Sequence, residues 1–481
     1  MTNGVTKEIF LNAVECRTLG WFLRSSDDSE ALGLADRFRM MQGSEIGRLA
    51  RSLYPDGVMI APGPQARDET ARLMADPQTR VLFEATFRVG ACTAKADILV
   101  RSGGGWKVIE VKLGLEDTDR MADLIADLAY TVVAARKSGV RIPEASLVLQ
   151  SRNYRKGMDT TRLFAEVDQT AAVDQLAPAF EQVWNEIERE TGAATRPAPL
   201  LTKACKSCAF FATACHGKGV THPVFEIHRL GEKKLADLAL RGILAIDQLP
   251  GGFKLTENQA RVVQVVKSGK PFVGPIRQEL AGVTWPASYL DFESMQTAIP
   301  LYADLAPFTQ VPTQYSIHRC AVPGKMTDHL DYVADPSRDC QRELAEKLLR
   351  DLGANGSVVV YSSFEKTRIR ALATRFPDLT AQFGAIESRL FDLLSVVTNT
   401  YYHPDFHGSC SIKNVLPVLV PGLSYDGMEI GDGDAASAAF ALIAMGKYAD
   451  DESGRLLDLL RAYCKQDTLA MVKLHEALLA V

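Results

Sequence analysis

Asp291 and Glu293, in SYLDFESM, stand two residues apart in an apolar stretch. Period-2 geometry puts both carboxylates on one face of a strand and turns Leu290 and Phe292 to the other. Two carboxylates this close repel each other unless cations sit between them. The pattern therefore suggests a two-metal site able to act on an attacking water and a leaving oxygen. Two further segments supply matching groups. VVVYSSFEKTRI runs from a buried-type strand through a turn and delivers Glu365 at a helix start. AYCKQDTLAM places Tyr463 and Asp467 at i and i+4 on one helix face, with Asp467 a metal ligand and Tyr463 a group to position water. Asp392 in LFDLLSV is a further carboxylate in an apolar run, and Lys413, after a Gly-Ser turn, is placed to meet substrate phosphate.

A second constellation lies earlier. Asp97 interrupts the apolar run AKADILV, and Glu110 and Lys112 share a face of VIEVKLG. Charged groups in such strands are costly to bury unless paired or bound to metal. Asp97 and Glu110 are hard oxygen ligands for Mg²⁺ or Mn²⁺, Lys112 would orient water or stabilise developing charge, and Glu84 in VLFEATF could complete the shell. A third feature is KACKSCAFFATAC, whose Cys205, Cys208 and Cys215 have ligand-like spacing, with the distant Cys16 as a fourth donor. Four cysteines suit an iron–sulfur cluster or a structural Zn²⁺. His216 adjoins Cys215 as a spare donor.

The elements that must carry these groups follow from hydrophobic periodicity and turn residues. Residues 6–53 are expected to be helical. Strands are expected over 80–89, 92–102 and 106–114, then a helix over 117–138 and a strand over 144–151. Residues 220–283 are expected to form a small helical connector, with a helix over 233–241. Strands over 287–293, 314–322 and 329–333, a helix over 342–352, a strand over 357–361 and a long terminal helix at about 453–479 complete the expectation.

Length bounds the organisation. At 481 residues the chain exceeds what one core usually serves, and roughly three domains are expected. A formal net charge of −5 argues against a wholly basic nucleic-acid coat. Local basic groups remain: Arg152, Arg155 and Lys156 in SRNYRKG, with Lys203 and Lys206, are candidate phosphate contacts. No apolar run is long enough to span a bilayer, and the first residues lack a cleavable secretory pattern. A cytoplasmic location with reduced cysteines and no membrane partner is the expectation.

The D…ExK constellation, in its strand–strand–strand–helix–strand setting, resembles the PD-(D/E)XK superfamily and its RecB-like nucleases. That resemblance makes Asp97, Glu110 and Lys112 the catalytic core and sets Asp127 and Tyr130 where a QxxxY-type helix motif lies. It departs in having no glutamine there, with Thr131 after the tyrosine, and Gly43-Ser44-Glu45 where the family has a histidine. The one-plus-three cysteine layout is similar to RecB-like domains that carry a 4Fe–4S cluster. The DxE strand and the YxxxD helix resemble DnaQ-like exonucleases, with Glu365 in place of the usual aspartate. LDFES, YSSFEKTR, HPDFHGSCSIKNVLP and YCKQD together resemble an uncharacterised bacterial family joining a RecB-like nuclease to an RNase H-fold domain of unknown function. The resemblance implies a mixed α/β chain with a PD-(D/E)XK restriction-endonuclease-like domain over 1–219, the connector over 220–283, and an RNase H-like 3′–5′ exonuclease-type domain over 284–481. It implies a metal-dependent nuclease acting on DNA in preference to RNA, with an RNA nuclease or a nucleic-acid-binding scaffold as the alternatives.

Overall fold

The computed structural model describes residues 4–26 and 32–481. Alternating apolar residues build a first sheet in the order β1 (Val58–Met59), β2 (Val81–Val89), β3 (Cys92–Ser102), β4 (Gly105–Leu115), β5 (Glu144–Gln150) and β6 (Phe164–Asp168). β2, β3 and β4 form an antiparallel meander. Its β3–β4 turn needs left-handed backbone at two successive residues, which Gly103 (φ +57°) and Gly104 (φ +73°) supply without steric cost. β5 runs parallel to β4, so the chain must cross over, and the helix Met121–Lys137 is that crossover.

Helices cover both faces of this sheet. On one side Lys7–Glu15, Met121–Lys137 and Thr170–Thr191 bury a core around stacked Tyr130 and Trp184, with Phe10 against both. On the other, helix Leu34–Arg51 lies over a smaller cluster with Phe83, Ile98 and Ile109. The expected strands and crossover helix are present with ends shifted by a few residues; β6 and helix Thr170–Thr191 come in addition.

Residues 220–283 pack into the core of the second half of the chain. Helices Glu232–Leu240 and Glu257–Ser268 put Leu235, Leu238, Val262 and Val265 together with Tyr289, Val359 and Met471. Thr256 caps the second helix, its hydroxyl accepting from Gln259 N. After it comes the short strand β7 (Phe272–Val273).

The second sheet comprises β8 (Ala287–Met295), β9 (Val311–Val322), β10 (Lys325–Val333), β11 (Val358–Val360) and β12 (Leu390–Asp392), in the order β10-β9-β8-β11-β12. The first three are antiparallel; β11 is parallel to β8, and β12 to β11. β13 (Tyr401–Tyr402) returns to pair with β7. Leu290 and Phe292 of β8 enter the core beneath helices Gln341–Leu352 and Phe364–Arg375. The opposite face of β8 turns toward helices Gly433–Ala444 and Asp450–Ala480.

The two halves are docked. Phe38 of helix Leu34–Arg51 sits in a cluster with Met295, Phe440 and Leu456. Ala298 N donates to Gln42 Oε1 at 2.7 Å, and the backbone of Lys156 bonds to that of Asp304 and Leu305. Among the described residues no helix is long and apolar enough to cross a membrane.

Candidate metal centres

The largest cluster of carboxylates lines a cavity of about 700 Å³ in the second half. β8 brings Asp291 and Glu293, the first turn of Phe364–Arg375 brings Glu365, and Asp450–Ala480 brings Asp467 with Tyr463. Asp432, Asp434 and Lys413 complete that side, while Asp36 and Arg39 of helix Leu34–Arg51 form part of the wall. Donor atoms of Asp291, Glu293 and Cys464 lie within 4.8 Å of one another.

Neighbours fix the carboxylates. Cys464 Sγ lies 3.2 Å from Asp291 Oδ2, Tyr425 OH donates to Asp467 Oδ1 at 2.6 Å, and Ser362 Oγ donates to Glu365 Oε2 at 3.4 Å. Burial, reinforced by Asp467, holds the carboxyls of Asp291 and Glu293 well above the usual range. Burial raises Glu365 to about 7, with Asp392 and Asp467 adding like charge. Asp467 rises to about 6, burial outweighing its bonds to Tyr425 and Tyr463 and the charge of Lys413. Lys413 is the lysine in the wall, and its ammonium is tethered to Gly431 O at 2.6 Å above the Tyr425 and Tyr463 rings. The set is thus short of positive charge, and divalent cations bound by hard oxygen would supply it. Cys464 fits as a hydrogen-bond partner: burial and the three surrounding carboxylates push its thiol up, keeping it protonated.

The first half arranges its groups differently. β3 and β4 stay in register to the Ile98–Ile109 pair, and beyond it Val111 N donates to Asp97 Oδ2 at 2.8 Å. Glu110 is 1% exposed. It accepts from Lys7 Nζ at 2.9 Å and Thr131 Oγ1 at 2.7 Å, with Lys112 Nζ 3.2 Å away. Both ammoniums also meet Asp127, at 2.8 and 2.5 Å. Burial favours protonating Glu110, but Lys7 and Lys112 overcome it and bring the carboxyl down to about 2. Asp97 moves the other way, to about 7, through burial and the charge of Glu110. Asp97 and Glu84 line a separate cavity of about 340 Å³ with Gly43, Gly47 and Arg51; Glu110 and Lys112 are not in its wall.

Several expected site residues have other partners in the structure. Tyr130 is fully buried against Trp184 and donates to Thr93 O, on the core side of the sheet. The Asp392 carboxylate caps helix Leu393–Thr400 through Leu394 N at 2.9 Å and lies outside the wall of the large cavity. Glu84 takes a left-handed backbone (φ +58°) and faces Arg51 at 3.7 Å. Arg152 pairs with Asp117 and Lys203 with Glu232, both on the exposed surface. Residues that sequence reasoning missed are Lys7, Tyr425, Asp432 and the contact of Cys464 with Asp291.

The four cysteines converge. Cys16 immediately precedes helix Arg17–Ser25, whose Phe22 stacks on Phe210 at 4.5 Å. Burial raises the thiols of Cys205 and Cys215; Cys16 adds to both, Cys208 to the first, and Cys205 to the second. Among the described residues the triads of donors within 4.8 Å are Asp291–Glu293–Cys464 and His222–Glu226–His407, so the thiols are set more widely than a compact triad.

Residues 288–411 match a family described as "Domain of unknown function (DUF2779)". An uncharacterized protein of Mycoplasma genitalium, MG366, is 25% identical over 205 residues, covering 39% of this chain and 31% of that protein. An uncharacterized protein of Ureaplasma parvum, UU173, is 26% identical over 208 residues, covering 38% and 30%. The match thus spans about a third of the length of these curated relatives. A structural comparison with the crystal structure of SSO0001 covers 44% of this chain and 96% of that one at 17% identity and a TM-score of 0.16. Residues 288–411 are thus similar to the DUF2779 family, and the chain is similar in part to uncharacterised mycoplasma and ureaplasma proteins. The matched window holds Asp291, Glu293 and Glu365 but ends before Lys413, Tyr425, Tyr463 and Asp467.

Proposed function

We propose that this protein is a metal-dependent nuclease that hydrolyses phosphodiester bonds, DNA in preference to RNA, and that the cavity of the second half carries the reaction. One observation carries the reading: Asp291, Glu293, Glu365 and Asp467, from three separate segments, line one cavity whose cations, among the described residues, are Lys413 and an Arg39 that pairs with Asp36. The order of three antiparallel and two parallel strands supports an RNase H-like, DnaQ-like assignment for residues 284–481. The volume falls within the range of about 300–1,000 Å³ usual for ligand sites.

These four carboxylates would hold Mg²⁺ or Mn²⁺, since their oxygens are the hard donors such ions take. Bound there, a pair of such ions supplies water activation and stabilisation of the leaving oxygen. The chain's own groups set the geometry. Tyr425 and Tyr463 hold Asp467, Cys464 holds one oxygen of Asp291, and Lys413 places positive charge beside Glu293 and Asp467.

Asp97, Glu110 and Lys112 on their meander support a PD-(D/E)XK reading of the first half. Lys7 favours a second reading for that half. With Lys112 its ammonium already supplies, between Glu110 and Asp127, the two positive charges a divalent ion would bring. On this reading the first half binds nucleic acid without cutting it. Cys16, Cys205, Cys208 and Cys215 would hold a 4Fe–4S cluster, with structural Zn²⁺ as the rival, tying the start of the chain to residues 205–215. Iron and acid-labile sulfide assays against zinc content decide between them.

The test pairs single-stranded DNA and RNA oligonucleotides of one sequence, with Mn²⁺, against the wild type, Asp291→Asn, Glu110→Gln and the double variant. Asp291→Asn should abolish cleavage and Glu110→Gln should leave it. Cleavage unaffected by either change would remove the proposal.

A further inference from the structure

We propose a third metal site, independent of the nuclease reading, formed by His222, Glu226 and His407 for a single divalent ion of the zinc class. His222 Nδ1 lies 2.8 Å from Glu226 Oε2, and His407 Nδ1 lies 2.9 Å from Oε1. The imidazoles stack with centroids 5.2 Å apart and planes 21° apart, each Nδ1 meeting a different oxygen of the one carboxylate. One donor atom from each residue lies within 4.8 Å of the other two. Ligands about 2.0–2.1 Å from a tetrahedral zinc stand roughly 3.3 Å apart. The observed spacings need only a small outward movement to admit the ion.

The charge balance points the same way. The Glu226 side chain is 7% exposed, and its ionic partners among the described residues are these two histidines. A buried carboxylate requires compensating hydrogen bonds or a cation, and the two imidazoles are the groups placed to bring either. A divalent ion taking one nitrogen from each ring and an oxygen from Glu226 provides the cation. The His407 side chain is 48% exposed, which leaves one side of the site open to a solvent ligand.

The backbone is shaped for this approach. His407 adopts the left-handed region (φ +47°), uncommon for a residue with a side chain. A Cβ on Gly408 would fall 2.5 Å from Glu226 Cα, so only glycine lets the 401–408 segment close on Glu226. Gly408 N donates to Tyr402 OH at 3.0 Å, holding the turn. His222 and Glu226 precede the second sheet and His407 follows it, so the ion would clip together two stretches 181 residues apart. Two histidines and a glutamate are a recurrent zinc set; ferrous iron takes the same donors.

Crystals of the full chain soaked in zinc chloride, with anomalous differences collected on both sides of the zinc edge, test the site directly. A peak flanked by His222, Glu226 and His407 is expected. In solution, zinc stoichiometry after chelator treatment should drop by one equivalent in His407→Ala and stay unchanged at this site in Cys208→Ser. The affinity of that equivalent should fall by about 100-fold or more, since even outer partners of a metal account for 10–100-fold. Crystals at saturating zinc with no peak between the two histidines overturn the proposal, whether or not the variant folds. So does a folded His407→Ala that keeps every equivalent. In either case the triad is a hydrogen-bonded clamp. Cleavage is not the readout, so failure here leaves the nuclease proposal standing.

Discussion

Replacing Glu365 by glutamine removes a charge from the carboxylate cavity while preserving shape, and the structure gives the effect a sign that reverses with metal. In the open chain the carboxyl titrates near 4.5; folded, burial raises it to about 7. Below about pH 4.5 it is protonated in both states and contributes nothing. From there to about pH 7 the folded state keeps the proton longer, so stability falls as pH rises. Above pH 7 the full cost applies, about 3 kcal/mol at 1.36 kcal/mol per pH unit, as an upper bound because Asp467 shares the same field. At pH 8 in EDTA, Glu365→Gln should therefore be more stable than wild type by about 2–3 kcal/mol, roughly 2–3 °C in melting temperature for a chain of this size. At pH 4.5 the two should melt together. Mn²⁺ at 1,000 times its dissociation constant should then raise wild type by about 4.1 kcal/mol and the variant by much less, inverting the order. Thermal melts at both pH values, with and without Mn²⁺, are the assay. A variant no more stable than wild type in EDTA at pH 8, or equal Mn²⁺ gains in both, refutes the charge argument.

Three further outcomes rest on the same geometry. Asp467→Asn should reduce Mn²⁺-dependent cleavage about 1,000-fold or more, ~4 kcal/mol of barrier, with an unchanged circular dichroism spectrum; retained cleavage would place the reaction elsewhere. Lys7→Met leaves buried Glu110 and Asp127 with Lys112 alone and should cost about 3 kcal/mol, read as a lower urea midpoint. Gly408→Ala forces a Cβ to 2.5 Å from Glu226 Cα at φ +76° and should cost about 2 kcal/mol or more in the same assay.

What could be seen in the residues alone was what local geometry decides. Alternation in SYLDFESM sets Asp291 and Glu293 against Leu290 and Phe292, and the structure keeps that division. The i, i+4 spacing of Tyr463 and Asp467 likewise survives folding. Where a partner comes from far away, the residues were silent. Lys7 is an ordinary first-turn lysine until Glu110, 103 positions on, meets it. Tyr425 lies outside any helix or strand, with no periodicity to mark it. Tyr130 stands on the expected helix, but Trp184 decides which way it faces. Helix Thr170–Thr191 did carry a signal, since Val173, Ala177, Phe180, Trp184 and Ile187 recur at helical spacing.

Helix Leu34–Arg51 belongs to the first half by sequence, yet Phe38 is seated among Met295 and Phe440 and the neighbouring Asp36 and Arg39 border the acidic cavity. Severing the chain ahead of residue 284 would unplug that aromatic ring and leave the basin without one bank. Anything bulky enough to fill the basin would touch both halves at once, beside the seam where Phe38, Gln42 and Lys156 meet the second half.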